Sequence, residues 1–136
     1  SKMSKSDPDG CVYMMDKPED IMRKFKRAVT DFDACVKFDK ENKPGISNLL
    51  SIYCAATGKT VAEAEAAFAG QGYGIFKPAV AESVIELLRP IREEAERLTA
   101  DKAYLESVYK DGAQKASYLA EKTLRKVYKK VGFVAR

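Results

Sequence analysis

The sequence contains no histidine. That absence removes every Ser-His and Cys-His nucleophile arrangement and the commonest metal ligand, so any chemistry here must use lysine, carboxylate or backbone groups. Cysteine is scarce. Cys11, Cys35 and Cys54 are unevenly spaced, match neither a zinc pattern nor a disulfide framework, and point to a reducing compartment. No apolar run approaches the roughly 18 residues that span a bilayer, and the N-terminus lacks the apolar segment of a signal peptide. Internal repeats and low-complexity tracts are also absent. The chain does not begin with Met, which suggests a fragment or a processed chain.

What is present is one domain's worth of protein: 136 residues, 46% hydrophobic and 32% charged, long enough to bury a core without staples. The net charge of +4 is mild but unevenly distributed. Lys115, Lys122, Arg125, Lys126, Lys129, Lys130 and Arg136 stand against Glu121 near the C-terminus, after a stretch rich in acids (Glu82, Glu86, Glu93, Glu94 and Glu96). A polyanion partner and a merely solvated helix face both account for that asymmetry.

The first ten residues carry the clearest chemical suggestion. In Lys2-Met3-Ser4-Lys5-Ser6, followed by the turn-forming Asp7-Pro8-Asp9-Gly10, two lysines three residues apart are separated by small hydroxyl residues. Such a loop presents two ammonium groups and backbone amides to a polyphosphate. The plainer alternative is an exposed basic tail.

Beyond it the pattern is helical. Cys11 to Met15 is a short run of β-formers, expected as a strand or extended connector. Asp16 is expected as N-cap of a first helix over about Lys17 to Val29, with Pro18 in the first turn and Glu19 closing a capping box. Ile21, Phe25, Ala28 and Val29 form its apolar side, with Arg23, Lys24, Lys26 and Arg27 largely opposite. Thr30 to Lys43 reads as a loop anchored by Val36 and Phe38. A second helix carries Ile46, Leu49, Leu50, Tyr53 and Cys54 and ends at Gly58; a third opens on the capping box Thr60-Val61-Ala62-Glu63 and stops at Gly70. The glycines of Gly70-Gln71-Gly72-Tyr73-Gly74 lack a preceding strand, so they connect helices and do not form a nucleotide loop. Ile75 to Leu98 is a long helix that Pro90 is expected to kink. A final helical stretch from Asp101, with a possible break at Asp111-Gly112, ends in the stripe Ala116, Leu119, Ala120, Thr123, Leu124, Val127 and Val131, expected to be core.

The pentapeptide at 2–6 is, letter for letter, the second signature of the class I aminoacyl-tRNA synthetases. Together with Asp7-Pro8, Ala28-Val29-Thr30-Asp31, Lys43-Pro44-Gly45-Ile46-Ser47-Asn48-Leu49-Leu50 and Gly72-Tyr73-Gly74-Ile75-Phe76-Lys77, it resembles the C-terminal part of the bacterial tryptophanyl-tRNA synthetases over essentially the whole chain. The resemblance implies an all-α fold of five or six helices: a signature loop and connector at 1–16, then a helical anticodon-binding domain at 17–136. It also implies a Rossmann-like catalytic half that this chain lacks, since the family's other signature contains histidines. Synthetases of this family activate tryptophan with ATP and Mg2+, release pyrophosphate, and charge the tryptophan tRNA; they act in the cytoplasm as homodimers, with no membrane partner. By this resemblance Lys2 and Lys5 are the catalytic lysines, and Lys2, Met3, Ser4, Lys5 and Ser6 hold the ATP phosphates. No metal ligands are expected in the chain, because Mg2+ arrives with ATP. For tRNA the candidates are Lys122, Arg125, Lys126 and Lys129 on one face of the final helix, with Tyr118 or Tyr128 as stacking residues; Lys37, Lys40 and Lys43 are the fallback. The rival readings are a stand-alone tRNA-binding module without catalysis and a helical protein-interaction domain.

Overall fold

Proline and glycine punctuate the helices of this chain, and a computed structural model that describes residues 9–134 shows where each one acts. Helix α1 (Pro18–Arg27) starts on Pro18 at a position where the missing N–H costs nothing. Its first turn holds Glu19 and Asp20 and its last turn Lys24, Lys26 and Arg27, the order that complements the helix dipole. Helix α2 (Pro44–Thr57) again begins on proline, and it ends where Gly58 turns left-handed at φ 72°. Helix α3 (Val61–Ala67) opens with the expected capping box: Thr60 Oγ1 accepts from the Glu63 N–H, and Glu63 Oε2 accepts from the Thr60 N–H at 2.8 Å.

Gly70 and Gly72, at φ 74° and 69°, then make the turn between helices that the absence of a strand implied. Helix α4 (Tyr73–Ala100) begins two residues earlier than the apolar periodicity suggested and remains helical through both Pro78 and Pro90. Helix α5 (Lys102–Val131) is capped by Asp101, whose carboxylate accepts from the Tyr104 N–H at 2.9 Å, and stops at Gly132. These five are the helices of the described residues, which include no strand. None is long and apolar enough to cross a membrane.

At Cys11 to Met15 the connector alternative holds over the strand, and two local expectations are corrected. The connector turns at Tyr13–Asp16, where the Asp16 N–H donates to the Tyr13 carbonyl at 3.1 Å. Asp16 is not the N-cap of α1. Lys17 takes that position without a side-chain cap, because the Asp16 carboxylate is engaged by the Tyr13 N–H and by Lys24 Nζ. Gly112 makes no break: a lone helical glycine costs only about 1 kcal/mol, and Lys115 pairs with Asp111 across it at 2.6 Å.

The chain divides into two units, Ser1–Glu93 and Glu94–Arg136. The first holds the core: Ile21 and Phe25 of α1, Val36 of the following loop, Ile46, Leu49, Leu50 and Tyr53 of α2, Ala64 of α3, Phe68, and Phe76, Val80, Ala81 and Val84 of α4. Tyr53, Phe68 and Phe76 meet edge to face, with ring centroids 5.0 to 6.3 Å apart. Each large side chain buried here contributes about 1.5–3 kcal/mol, so this cluster holds the unit together. Val36 and Phe38 anchor the 30–43 loop as expected, and the Phe38 N–H is satisfied by Glu65 Oε1 at 2.6 Å. Val29 is the exception on the first apolar stripe: α1 ends before it, and it is 88% exposed.

The second unit corrects a larger expectation. The final stripe is not buried; Leu119, Leu124, Val127 and Val131 are all exposed, and α5 has no buried residue.

Candidate functional site

The signature stretch Lys2 to Ser6 lies outside the described residues, and the description begins three positions after it, at Asp9. The Asp9 carboxylate is held at both oxygens: Arg23 Nη1 donates to Oδ1 at 2.8 Å and Arg27 Nη1 to Oδ2 at 3.0 Å. Arg23 and Arg27 are one helical turn apart, so a single face of α1 presents both guanidinium groups. Arg23 also reaches Asp20 Oδ1 at 3.2 Å. The hydrogen bond from Arg23 lowers the Asp9 pKa, and its counterpart raises that of Arg23.

A second clasp closes the other end of the connector. Burial works against the charged form of Asp16, but bonds from Lys24 Nζ, at 2.6 Å, and from the Tyr13 N–H outweigh it and lower the pKa. Lys24 was expected on the polar side of α1. Instead it is buried, because it pairs inward with Asp16 and lies 5.0 Å above the Tyr13 ring.

Three of the separated motifs that carry the family resemblance, at 28–31, 43–50 and 72–77, converge in the first unit. Asp31 Oδ1 accepts from the Tyr73 hydroxyl at 2.6 Å, from Lys43 Nζ at 3.1 Å and from the Asp33 N–H at 3.0 Å. Lys43 also reaches Asp33 Oδ2 at 2.8 Å. The bond from Tyr73, with those from Lys43 and the Asp33 backbone, brings the Asp31 pKa down to about 2. Burial, then the Asp31 bond, pushes the Tyr73 hydroxyl up to about 12, and Asp33 leads the groups that raise Lys43. Lys77 Nζ donates to the Ala28 carbonyl at 2.8 Å, satisfying an acceptor at the end of α1. Gly45 is needed for close approach: a Cβ there would lie 2.3 Å from the Val29 carbonyl oxygen. These residues brace three segments against one another. Lys43 is engaged by Asp31 and Asp33 and Lys77 by the Ala28 carbonyl, whereas Lys37 and Lys40 are exposed.

In the second unit, Lys122, Arg125, Lys126 and Lys129 are all exposed and follow i, i+3, i+4, i+7 spacing on α5. Arg125 spends part of its charge on Glu121 at 3.3 Å, one turn away. Tyr118 is 70% exposed, as a stacking residue requires, whereas Tyr128 packs edge to face on Phe133 with centroids 5.8 Å apart. Lys122, Arg125, Lys126 and Lys129 thus form one exposed cationic face of α5.

A shallow hollow of about 240 Å3 is lined by Lys40, Pro44, Ser47, Asn48 and Ser51. It is too small and open for a substrate site. Among the described residues no group of three or more cysteines and carboxylates is placed to hold a metal. Sequence reasoning passed over Asp9, the Asp16–Lys24 pair and the Asp31–Lys43–Tyr73 cluster. For the last of these a signal was present, since all three residues lie in the quoted motifs.

The family described as tRNA synthetases class I (W and Y) matches residues 1–89. The tryptophan–tRNA ligase of Clostridium tetani is 49% identical over 135 residues, which are 98% of this chain and 40% of that protein. That of Bacillus anthracis is 50% identical over 133 residues, 96% of this chain and again 40% of the relative. The crystal structure of tryptophanyl-tRNA synthetase from Mycoplasma pneumoniae superimposes with a TM-score of 0.67 at 27% identity, covering 98% of this chain and 42% of that one. The chain therefore spans about two fifths of the length of the curated relatives it matches and belongs to the class I tRNA synthetases of the tryptophan and tyrosine type.

Proposed function

We propose that this chain is the C-terminal part of a tryptophan–tRNA ligase, contributing the loop that closes on ATP and the helical region that holds the tRNA anticodon. The observation that carries the reading is the match to named tryptophan–tRNA ligases over nearly the whole chain, with the Lys2-to-Ser6 signature at one end. In this reading 1–16 is the loop and connector, and 17–136 is the anticodon-binding domain. The longer protein activates L-tryptophan with ATP and Mg2+ and transfers it to its tRNA, in the cytoplasm and as a homodimer.

Lys5, and after it Lys2, donate to the pyrophosphate on which charge accumulates as it leaves, while Ser4 and Ser6 offer hydroxyl or backbone donors and Met3 anchors the loop by packing. Preorganised ammonium groups in a closing site stabilise that developing charge far better than water does. On α5, the cationic face of Lys122, Arg125, Lys126 and Lys129 holds phosphates of the tRNA, with Tyr118 available to stack on an unpaired base.

Tryptophan-dependent ATP–pyrophosphate exchange tests the reading. The isolated chain is expected at background, and the chain joined to the segment of the Clostridium tetani ligase that it does not match is expected to restore exchange. Exchange by the isolated chain, or none by the joined protein, overturns it. For tRNA, replacing Arg125 and Lys126 by Gln is expected to reduce the slope of log affinity against log salt by about 1 per residue. An unchanged slope removes α5 from the interface.

A further inference from the structure

We propose that the shallow hollow on α2 is a further contact for tRNA, taking one backbone phosphate between Lys40 and Asn48. For the source of that phosphate the proposal rests on the reading of the chain as part of a tRNA ligase. The site itself rests on the side chains that line it.

Pro44, Ser47, Asn48 and Ser51 follow i, i+3, i+4, i+7 spacing on α2, and Lys40 of the preceding loop completes the lining. The opposite side of the helix carries the core residues Ile46, Leu49, Leu50 and Tyr53. None of the five lining residues is acidic and one is a cation, so the hollow favours an anion. Among the described residues Lys40 joins no ion pair, and its ammonium lies 5.8 Å from the centroid of the Phe38 ring. Asp39 does not compete for it. Both of its oxygens are taken within its own turn, Oδ1 by the Glu41 and Asn42 N–H groups and Oδ2 by the Asn42 side chain.

Ser47 is a second and independent mark of a ligand. It is only 3% exposed yet lines the hollow, and its Oγ accepts from the Asp39 N–H at 2.8 Å. A hydroxyl that accepts in this way still has a proton to give. The neighbouring Ser51 hydroxyl spends its proton on the Ser47 carbonyl at 2.8 Å, whereas the Ser47 proton meets no acceptor among the described residues. Buried donors are ordinarily paired, so an acceptor seated in the hollow is what Ser47 lacks. The exposed amide of Asn48 supplies a further donor at the rim.

A phosphodiester fits this lining better than a free phosphate or a nucleotide tail. It carries one negative charge, which one lysine matches, and two outer oxygens, which Ser47 and Asn48 can reach as donors. A dianion needs a second cation that the lining does not have. One shallow contact binds weakly alone, and it gains strength when the same polyanion is held at other points.

Binding of the whole chain to a tryptophan tRNA transcript, measured across a salt series, provides the test. Lys40→Gln is expected to weaken binding about fivefold and to lower the slope of log affinity against log salt by about 1. Asn48→Ala, which removes a neutral donor, is expected to weaken it about threefold at an unchanged slope. Asn48→Asp sets a carboxylate against the phosphate and is expected to cost more than about tenfold. Both positions are exposed, so the urea midpoints of these variants are expected to match that of the unaltered chain. A loss below about twofold for Asn48→Asp, or an unchanged slope for Lys40→Gln, overturns the proposal. Inorganic phosphate is the second arm: it is expected to shift the side-chain amide resonance of Asn48 only weakly, without saturating below about 10 mM. Saturation below about 1 mM assigns the hollow to free phosphate and overturns the tRNA source. If the unaltered chain does not bind the transcript, the tRNA reading fails and the proposal falls with it. If it binds, and Arg125→Gln with Lys126→Gln lowers the slope while the Lys40 and Asn48 variants are silent, only the hollow fails.

Discussion

Residues up to Glu93 and residues from Glu94 onward carry the same kind of apolar helical periodicity, yet buried positions occur only in the first set and end at Val84, with Leu87 and Ile91 of the same helix already exposed. In the first unit Ile21, Ile46, Leu50, Phe76 and Val80 are shielded from solvent, whereas in the second Leu119, Leu124, Val127 and Val131 are exposed. The units differ in what holds their helices. α1 to α3 and the first part of α4 share one buried apolar cluster, with Tyr53, Phe68 and Phe76 at an aromatic centre, and ion pairs join separate segments. α5 carries local pairs four residues apart, Glu106–Lys110, Asp111–Lys115 and Glu121–Arg125. Apolar periodicity thus specifies a helix in both places, but a core forms where several segments converge.

The comparison is broken most directly by removing a ring from the shared centre. Phe76→Ala is expected to cost about 3–5 kcal/mol, through lost transfer energy and the cavity left behind, and to shift the urea midpoint strongly. A loss under about 1 kcal/mol would show that the first unit does not depend on that centre. Gly45→Ala comes next. Its methyl group would collide with backbone at Val29, so about 1–3 kcal/mol is expected, net of the better helix propensity of alanine; unchanged or raised stability would mean the 29–30 segment yields easily.

The brace around Asp31 predicts a pH dependence confined to the first unit. The folded pKa of Asp31 is about 2, below the roughly 3.9 of an unfolded aspartate, so its contribution is fully present above pH 4 and is lost as pH falls through 2. Tyr73→Phe removes the bond chiefly responsible, and its urea midpoint is expected to change less between pH 4 and pH 2 than that of the unaltered chain. Parallel curves would discount the brace. The smallest effect belongs to the second unit: Leu124→Ala is expected to change stability by less than about 0.5 kcal/mol, because its side chain is already 46% exposed. A cost above 2 kcal/mol would show that the exposed stripe acquires a partner in solution.

Much of this was legible in the residues. Pro44 and Gly58 mark the ends of α2, Thr60 and Glu63 cap α3, and the 3.6-residue spacing of Ile21 with Phe25 and of Val80 with Val84 places core positions, because caps and stripes are interactions within one or two turns. The errors fell where a distant partner intervened. Asp16 has the chemistry of an N-cap, and its carboxylate went to Lys24 and the Tyr13 amide instead. Val29 continues the apolar spacing of α1 in letters only, since the helix has already ended.

By itself the sequence determined the helical class, most helix boundaries, the lack of histidine chemistry and the signature at 2–6 that ties the chain to its family. These depend on local backbone preference, on composition, or on a short run of letters. Only the tertiary structure decided which stripe is buried, that Lys43 and Lys24 are internal while Lys122, Lys126 and Lys129 face solvent, and that Asp9 is gripped by α1. Burial and charge pairing depend on what lies across from a residue in space, and spacing along the chain carries no record of that.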